Sequence, residues 1–187
     1  TKKVLPKEAS EFTKKVNEKV KKSLPFENTK DFDDAKKGFI GTWDHVKVDT
    51  EDGHAVWDLE DYKFIEGEAP DSVNPSLWRI AQLNMTNGLF KVTDRVYQVR
   101  GFDMSNTTIM EGDTGLVITD TLMSVETARA ALDLYYEHRP KKPIKAIIYT
   151  HSHADHYGGV AGLISKEDVA SGKVALIGPE GFMEAAV

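Results

Sequence analysis

Apolar residues recur every three or four positions near the start of the chain, between lysines and glutamates. The recurring positions are Ala9, Phe12, Val16 and Val20. This spacing predicts an amphipathic helix over residues 7–22, because residues three and four apart share one face of a helix. Its lysine-rich face is interpreted as solvated, with contact to a membrane surface as the alternative.

Two more elements are predicted before residue 88. Val46–Val48 and Ala55–Trp57 lie on either side of Asp52-Gly53, a pattern typical of a β-hairpin. Asn74 followed by Pro75 indicates the start of a helix. The side chains of this helix that are predicted to face the core are Leu77, Trp78, Ala81 and Met85.

From Gly88 onward, short apolar runs alternate with sharp turn signals, with Thr93-Asp94 and Gly112-Asp113 at two of the bends. The predicted strands of an antiparallel meander are Phe90–Val92, Val96–Arg100, Thr107–Glu111 and Gly115–Thr119. A helix capped by Ser124 and ending near His138 follows, and then strands at residues 144–149 and 174–177. The pattern predicts an α/β (α+β) fold, with a mostly helical extension over residues 1–87 and a strand-rich region over residues 88–187.

Potential metal ligands are concentrated directly after the predicted strand 144–149. His151, His153, Asp155 and His156 fall within six positions, and this window holds half of the six histidines of the chain. If the strand continues locally, His151 and His153 project to the same side and can bind one zinc ion. Asp155 and His156 follow as the backbone leaves the strand, and they suit a second ion. Two metals about 3.5–4 Å apart can share a bridging water and lower its pKa toward about 7.

The glycines after this cluster favour a tight connection into another helix. Gly158 and Gly159 allow close backbone packing, and a helix is predicted to begin near Gly159 with its positive end toward an anionic substrate. The alternative is that these histidines lie on an ordinary surface loop. The fixed order of four ligand types after a buried strand favours a metal centre.

The motif His151-x-His153-x-Asp155-His156 resembles the signature of the metallo-β-lactamase superfamily, whose fold is an αββα sandwich. The flanking segments are similar to the linear primary and secondary alkylsulfatases of bacteria. These segments are residues 74–79, 88–93, 97–101, 131–140 and 148–159. The resemblance covers residue 23 to the end, so that residues 88–187 are expected to form the first part of the catalytic domain.

The resemblance implies hydrolysis of long-chain alkyl sulfates, such as dodecyl sulfate, at a site with two Zn²⁺ ions. By position, His151 and His153 would bind the first zinc, and Asp155 and His156 the second. In the family, two glutamates, another histidine and the sulfate-binding loops lie well downstream, so the general acid is expected outside residues 1–187. The alkylsulfatase relatives are dimers, which implies a homodimer of the full protein.

Three other residues are candidates for the site. Asp120 closes the apolar strand Leu116–Thr119. The resemblance implies that a carboxylate at this position supports the histidine loop, with turn capping as the alternative. Ser105 and Asn106 would border the substrate sulfate or serve a turn. Arg100 is expected to pair structurally with a carboxylate rather than to meet the sulfate.

Composition excludes several classes of protein. A formal net charge of −6 argues against nucleic acid as a partner, and the bound metal ions would supply the positive charge that an anionic substrate needs. The chain contains no cysteine, which is compatible with the periplasm and the cytosol alike. No apolar run is long enough for a transmembrane segment. Because the chain starts at Thr1 and the relatives often carry secretion signals, a periplasmic or secreted location with the leader removed is expected.

The elements after the histidine cluster are too few to build the second sheet of a sandwich. The rest of the catalytic domain is therefore expected to be a partner of this segment, and the segment alone is expected to be inactive. A small domain with a partial metal site is the alternative. For the function, the alternatives are another hydrolase of the superfamily, of the thioesterase or lactamase type, and a metal-binding domain without turnover.

Overall fold

The computed structural model describes residues 8–187. The first helix, α1, spans Glu11–Ser23. It begins later than predicted because the side chain of Ser10 accepts a hydrogen bond from the backbone N–H of Thr13 at 3.1 Å and so caps the helix. Residues 8 and 9 precede this cap, and residue 7 lies outside the described residues. The apolar face is exposed rather than buried, since Phe12 is 78% exposed.

The predicted helices and strands occur in the predicted order, and further short elements that were not predicted lie between them. The helices are α2 (Lys30–Ala35), α3 (Pro75–Asn84), α4 (Val125–His138), α5 (Ala154–Tyr157), α6 (Lys166–Ala170) and α7 (Phe182–Ala186). The strands are β1 (Phe39–Gly41), β2 (Lys47–Asp49), β3 (Ala55–Asp58), β4 (Gly88–Thr93), β5 (Val96–Arg100), β6 (Thr107–Glu111), β7 (Leu116–Thr119), β8 (Ile144–Ile148) and β9 (Ala175–Ile177). Two 3₁₀ turns span Glu60–Tyr62 and Gly158–Gly162. In this part of the chain no helix has the length and apolar character needed to cross a membrane.

One large sheet organises these elements. Its seven strands are arranged in the order β1-β4-β5-β6-β7-β8-β9, and β2 and β3 form a separate two-stranded sheet. The pairs from β1 to β7 are antiparallel, whereas β7/β8 and β8/β9 are parallel. The predicted hairpin and the predicted meander are both confirmed, and the fold is of the mixed α/β class.

Helix α4 covers one face of the large sheet. It begins at the predicted N-cap Ser124, which forms a capping box with Thr127. Leu134 and Tyr135 of α4 are fully buried, together with Ile109 and Ile118 of the sheet. This packing follows from the apolar stripe of the helix, and it leaves the ends of the strands free to carry loops.

The predicted extension shares this core. Strand β1 pairs with β4 of the main sheet, and Val46, Val48 and Leu59 belong to the same buried cluster as the side chains of α4. Residues on either side of position 87 therefore contribute to one sheet and one core, and a division into domains at this position stays a prediction.

Helix α3 confirms its predicted start and corrects one predicted core residue. The side chain of Asn74 accepts a hydrogen bond from the backbone N–H of Ser76 at 2.9 Å, and Pro75 opens the helix. Trp78 is buried, as predicted. Leu77 is 63% exposed, because it lies one residue away from the face that Trp78 directs inward.

A partly buried ion pair lies at the end of the sheet away from the histidine loop. The Glu111 carboxylate accepts hydrogen bonds from Arg139 Nε at 2.7 Å, Arg139 Nη2 at 2.9 Å and the Tyr135 hydroxyl at 2.6 Å. The Glu111 side chain is only 9% exposed. The Arg139 guanidinium first, and the Tyr135 hydroxyl after it, lower the pKa of Glu111 to about 2.

The substitution Glu111→Gln is expected to lower the free energy of unfolding by about 2 kcal/mol at pH 7, because the guanidinium loses its charged acceptor. A carboxylate with a lowered pKa stabilises the fold fully above the unfolded-state value near 4.5, and this stabilisation is lost as pH falls through about 2. The difference between wild type and variant, measured by urea unfolding, should therefore shrink between pH 5 and pH 2. Glu51→Gln, on the exposed hairpin turn, is the control, and an equal effect of both variants would contradict the prediction.

Candidate metal centre

The candidate site lies at the carboxyl ends of two adjacent parallel strands. Thr119, the last residue of β7, pairs with Ile148, the last residue of β8. Asp120 follows β7, and its backbone N–H donates to the carbonyl oxygen of Ile148 at 2.9 Å. Because both strands end at the same edge of the sheet, the chain brings Asp120 next to the loop that carries the histidines.

Asp120 binds this loop through both carboxylate oxygens. Its Oδ1 accepts from the backbone N–H of Thr150 at 2.8 Å, and its Oδ2 accepts from the Thr150 hydroxyl at 2.7 Å and from His156 Nδ1 at 2.8 Å. The residue is 6% exposed, and its φ of 60° lies in the left-handed region, which aspartate adopts more readily than most residues. Asp120 thus makes the contacts expected of a support for the loop.

These contacts define which ring nitrogen carries the proton. The Nδ1–H of His156 donates to Asp120, so the Nε2 of His156 keeps a free lone pair. His151 Nδ1 lies 2.9 Å from the Thr150 hydroxyl oxygen. Because that hydroxyl donates its own proton to Asp120, its oxygen accepts from His151 Nδ1–H, and the Nε2 of His151 is also free. Free Nε2 atoms are what a metal ion requires from imidazole ligands.

The rings converge, although not for the predicted reason. The ring centroids of His151 and His153 are 4.6 Å apart, and those of His151 and His156 are 4.0 Å apart. Strand β8 ends at Ile148, so the alternation of a strand does not continue through His151. The loop itself places the two side chains together. His156 Nε2 lies 3.3 Å from Asp155 Oδ2, so these two predicted ligands of one ion face the same point.

The helix after the loop begins earlier than predicted. Helix α5 follows His153 directly, and the segment from Gly158 to Gly162 is a 3₁₀ turn rather than the start of a helix near Gly159. Close packing requires the glycines. A Cβ at Gly159 would lie 2.1 Å from the Thr121 carbonyl oxygen, and one at Gly158 would lie 2.2 Å from that of Met123. Both clashes are with backbone, which cannot move aside.

Neighbouring strand ends buttress the ligand loop through contacts that were not predicted. The Thr107 hydroxyl donates to the Asp120 carbonyl oxygen at 2.7 Å, and the Thr121 N–H donates to the His156 carbonyl oxygen at 2.8 Å. The Ser105 hydroxyl donates to the Asp155 carbonyl oxygen. No local pattern in the sequence signals these contacts, because they join residues 13 to 50 positions apart.

Ser105 and Asn106 differ in their surroundings. Ser105 is buried with its hydroxyl bound to the loop backbone, whereas Asn106 is exposed beside it. A role of either residue in binding sulfate stays a prediction. Met104, which precedes them, is 74% exposed.

Arg100 corrects an expectation. Among residues 8–187, no carboxylate lies within ion-pair distance of its guanidinium. Its Nε donates to Gln98 Oε1 at 2.6 Å, and the guanidinium lies 4.3 Å from the centroid of the Phe90 ring. The predicted structural pairing with a carboxylate is therefore wrong, because an amide and an aromatic face take its place.

The imidazole and carboxylate side chains of the loop are chemically suited to bind metal ions. Three imidazoles and one carboxylate lie close together, and the Nδ1 atoms of His151 and His156 are engaged by Thr150 and Asp120. Within the described range 8–187, no group of three or more His, Cys, Asp or Glu side chains is arranged to hold an ion by itself. The predicted assignment gives His151 and His153 to one ion and Asp155 and His156 to the other. This assignment stays a prediction.

The chain resembles known proteins over nearly its whole length. The profile of the metallo-beta-lactamase superfamily matches residues 100–187, which include Asp120 and the histidine loop. The solved structure of the stereoselective inverting sec-alkylsulfatase Pisa1 from Pseudomonas sp. superposes with a TM-score of 0.90 at 53% identity, over 97% of this chain and 28% of that chain. Residues 100–187 thus match the model of this superfamily, and the chain has the same fold as the sec-alkylsulfatase over nearly its whole length.

Two curated sulfatases are similar to the chain at the level of sequence. The alkyl/aryl-sulfatase BDS1 of Saccharomyces cerevisiae is 54% identical over 97% of this chain and 28% of its own length. A linear primary-alkylsulfatase of Pseudomonas sp. is 55% identical over 97% of this chain and 27% of its own length. The chain therefore spans little more than a quarter of the relatives that it matches. The metallo-β-lactamase fold and the homology to alkylsulfatases agree with the expectation from the sequence.

Proposed function

We propose that the complete protein hydrolyses alkyl sulfate esters to an alcohol and inorganic sulfate, with two zinc ions at the histidine loop. The observation that carries the proposal is that this chain is 54–55% identical to two sulfatases over 97% of its length. In this chain, the imidazole rings of the predicted metal ligands lie close together. A superposition at a TM-score of 0.90 on a sec-alkylsulfatase supports it. Long-chain substrates such as dodecyl sulfate are part of the proposal.

The residues of this chain would hold and orient the metal ions. His151, His153 and His156 present imidazoles, and Asp155 presents a carboxylate beside His156. When bound, two zinc ions supply positive charge for the sulfate oxygens and acidify a water molecule. Asp120 holds the Nδ1 proton of His156, and Thr150 holds that of His151, so that both rings stay in the ligating tautomer. The remaining ligands and the general acid would come from polypeptide beyond residues 1–187.

Sulfate release from dodecyl sulfate by the full-length polypeptide tests the proposal. Treatment with a chelator is expected to abolish release, and addition of zinc is expected to restore it, because the loop residues contribute through the ions they hold. Isotope-labelled water identifies the broken bond: label in the alcohol means C–O cleavage, and label in the sulfate means S–O cleavage.

Three results would contradict the proposal. Cleavage of a thioester or lactam without release of sulfate would indicate another hydrolase of the superfamily. Stoichiometric zinc without any turnover would indicate a non-enzymatic metal-binding domain. Full activity after complete removal of metal would exclude the role assigned to the histidine loop.

We also propose that the full protein is a homodimer in the periplasm or secreted, as the family resemblance implies. Sedimentation of the full-length protein tests the first statement, and fractionation of cells tests the second.

A further inference from the structure

Asp103 is a buried carboxylate that has no part in the metal centre described above. It follows Phe102 in the segment that leads from β5 to β6, and it is 6% exposed. In the described part of the chain it forms no ion pair. A buried charge without a counter-ion is costly unless hydrogen-bond donors surround it, so the donors around Asp103 indicate what the residue does.

These donors are two backbone N–H groups and one hydroxyl. The Oδ1 of Asp103 accepts from the backbone N–H of Met104 at 2.6 Å. Its Oδ2 accepts from the backbone N–H of Met123 at 3.0 Å and from the Thr127 hydroxyl. Met123 belongs to the turn between β7 and α4, residues 120–124, and Thr127 lies in the first turn of α4. Asp103 therefore binds this turn and the start of the helix together.

The turn 120–124 depends on such contacts because its backbone is unusual. Asp120 has a φ of 60° and Leu122 a φ of 64°, and both values lie in the left-handed region. A leucine rarely adopts this conformation, which persists only where the surrounding structure imposes it. The Leu122 side chain is buried, and the next backbone N–H, that of Met123, is the one that Asp103 binds. The carboxylate thus stabilises the backbone directly after Leu122.

The same turn carries the histidine loop on its other side. The Thr121 N–H donates to the His156 carbonyl oxygen at 2.8 Å, and the Gly159 N–H donates to the Leu122 carbonyl oxygen at 3.0 Å. The backbones of loop and turn are in direct contact here, as the close approach of the glycines to turn carbonyl oxygens requires. A displacement of the turn would therefore also displace the backbone that carries His156.

We propose that Asp103 is a positioning residue for the metal centre, and that it orients His156 and Asp155 through the turn 120–124. It accepts no hydrogen bond from any of the four predicted ligands and so acts only through other groups. The Ser105 hydroxyl, two residues further on, donates to the Asp155 carbonyl oxygen, so one segment holds both the turn and the loop. The inference rests on the proposed metal site, but not on the bond that the enzyme breaks.

Substitution of zinc by Co²⁺ in the full-length protein tests this role, because the visible absorption of Co²⁺ depends on the geometry of its ligands. At saturating Co²⁺, Asp103→Ala is expected to change the absorption bands. Competition with a chromogenic chelator should show zinc affinity lowered by about tenfold, the lower end of the range for groups that orient metal ligands. Asp103→Asn keeps one of the two acceptor oxygens, so both effects should be smaller in this variant.

Glu111→Gln is the matched control for the loss of a carboxylate that binds α4. Glu111 accepts from Tyr135 and Arg139 at the C-terminal end of this helix, whereas Asp103 accepts from Thr127 at its N-terminal end. Both substitutions are expected to lower stability, but only Asp103 contacts the turn that carries the histidine loop. Glu111→Gln should therefore keep the wild-type Co²⁺ spectrum and the wild-type zinc affinity.

Wild-type zinc affinity and Co²⁺ absorption in every Asp103 variant that folds would overturn the inference, as would equal changes in Glu111→Gln. Circular dichroism establishes which variants fold, and Asp103→Asn carries the test if Asp103→Ala does not fold. Failure of both to fold would assign Asp103 to the fold alone and also overturn the inference. Sulfate release is measured separately: a wild-type protein that binds metal without releasing sulfate counts against the proposed hydrolysis alone, and one that binds no metal overturns both.

Discussion

His153→Ala is expected to lower the hydrolysis of dodecyl sulfate on the order of a thousandfold, while the protein stays folded. The side chain of His153 is exposed, so its removal should change the free energy of unfolding by less than about 0.5 kcal/mol. Loss of a metal ligand, in contrast, removes Lewis-acid stabilisation worth several kcal/mol, which corresponds to about a thousandfold in rate. The measurements are kcat/KM and the zinc content of the full-length variant.

His54→Ala is the matched control for this experiment. His54 is also exposed, and its nearest charged partner is Asp52 on the hairpin turn rather than another candidate ligand. The control should keep both activity and zinc. Wild-type kcat/KM in His153→Ala would remove this histidine from the proposed site.

Asp120→Ala is expected to weaken zinc binding by about 10–100-fold, the typical effect of removing a group that orients a metal ligand. The carboxylate holds His156 in the tautomer with a free Nε2, and it fixes Thr150, which in turn holds His151. Its removal frees both rings. Zinc affinity is measured by competition with a chromogenic chelator, and activity should fall in parallel.

Asp120→Asn separates the charge of this residue from its shape. Asparagine adopts the left-handed backbone of position 120 and has nearly the same size, so the fold should be retained. The amide offers only one acceptor oxygen for the donors that Asp120 now binds, and zinc affinity should again fall. Asp113→Asn, on an exposed turn, is the control, and unchanged zinc affinity in both Asp120 variants would contradict the supporting role.

Local patterns in the sequence predicted most of the elements correctly. The meander β4–β7, the hairpin β2–β3 and the capped start of α4 each depend on alternation, turn residues or an N-cap within a few positions. The errors come from tertiary packing, about which a short stretch of sequence carries no information. Leu77 is at the correct helical spacing for burial, but only the packing of Trp78 defines which face of α3 points inward. Arg100 was expected to meet a carboxylate, and the strands instead bring Gln98 and Phe90 to it.

The sequence alone determined the chemistry of the candidate site, because the ligand types and their order lie within six consecutive residues. Only the tertiary structure decided how those ligands are held. Asp120 reaches His156 across 36 positions, and Ser105 reaches Asp155 across 50, through the pairing of separate strands and the turns at their ends. The physical reason is that ligand identity is a property of single side chains, whereas the orientation and the hydrogen-bond partners of those side chains depend on which distant groups the fold brings into contact.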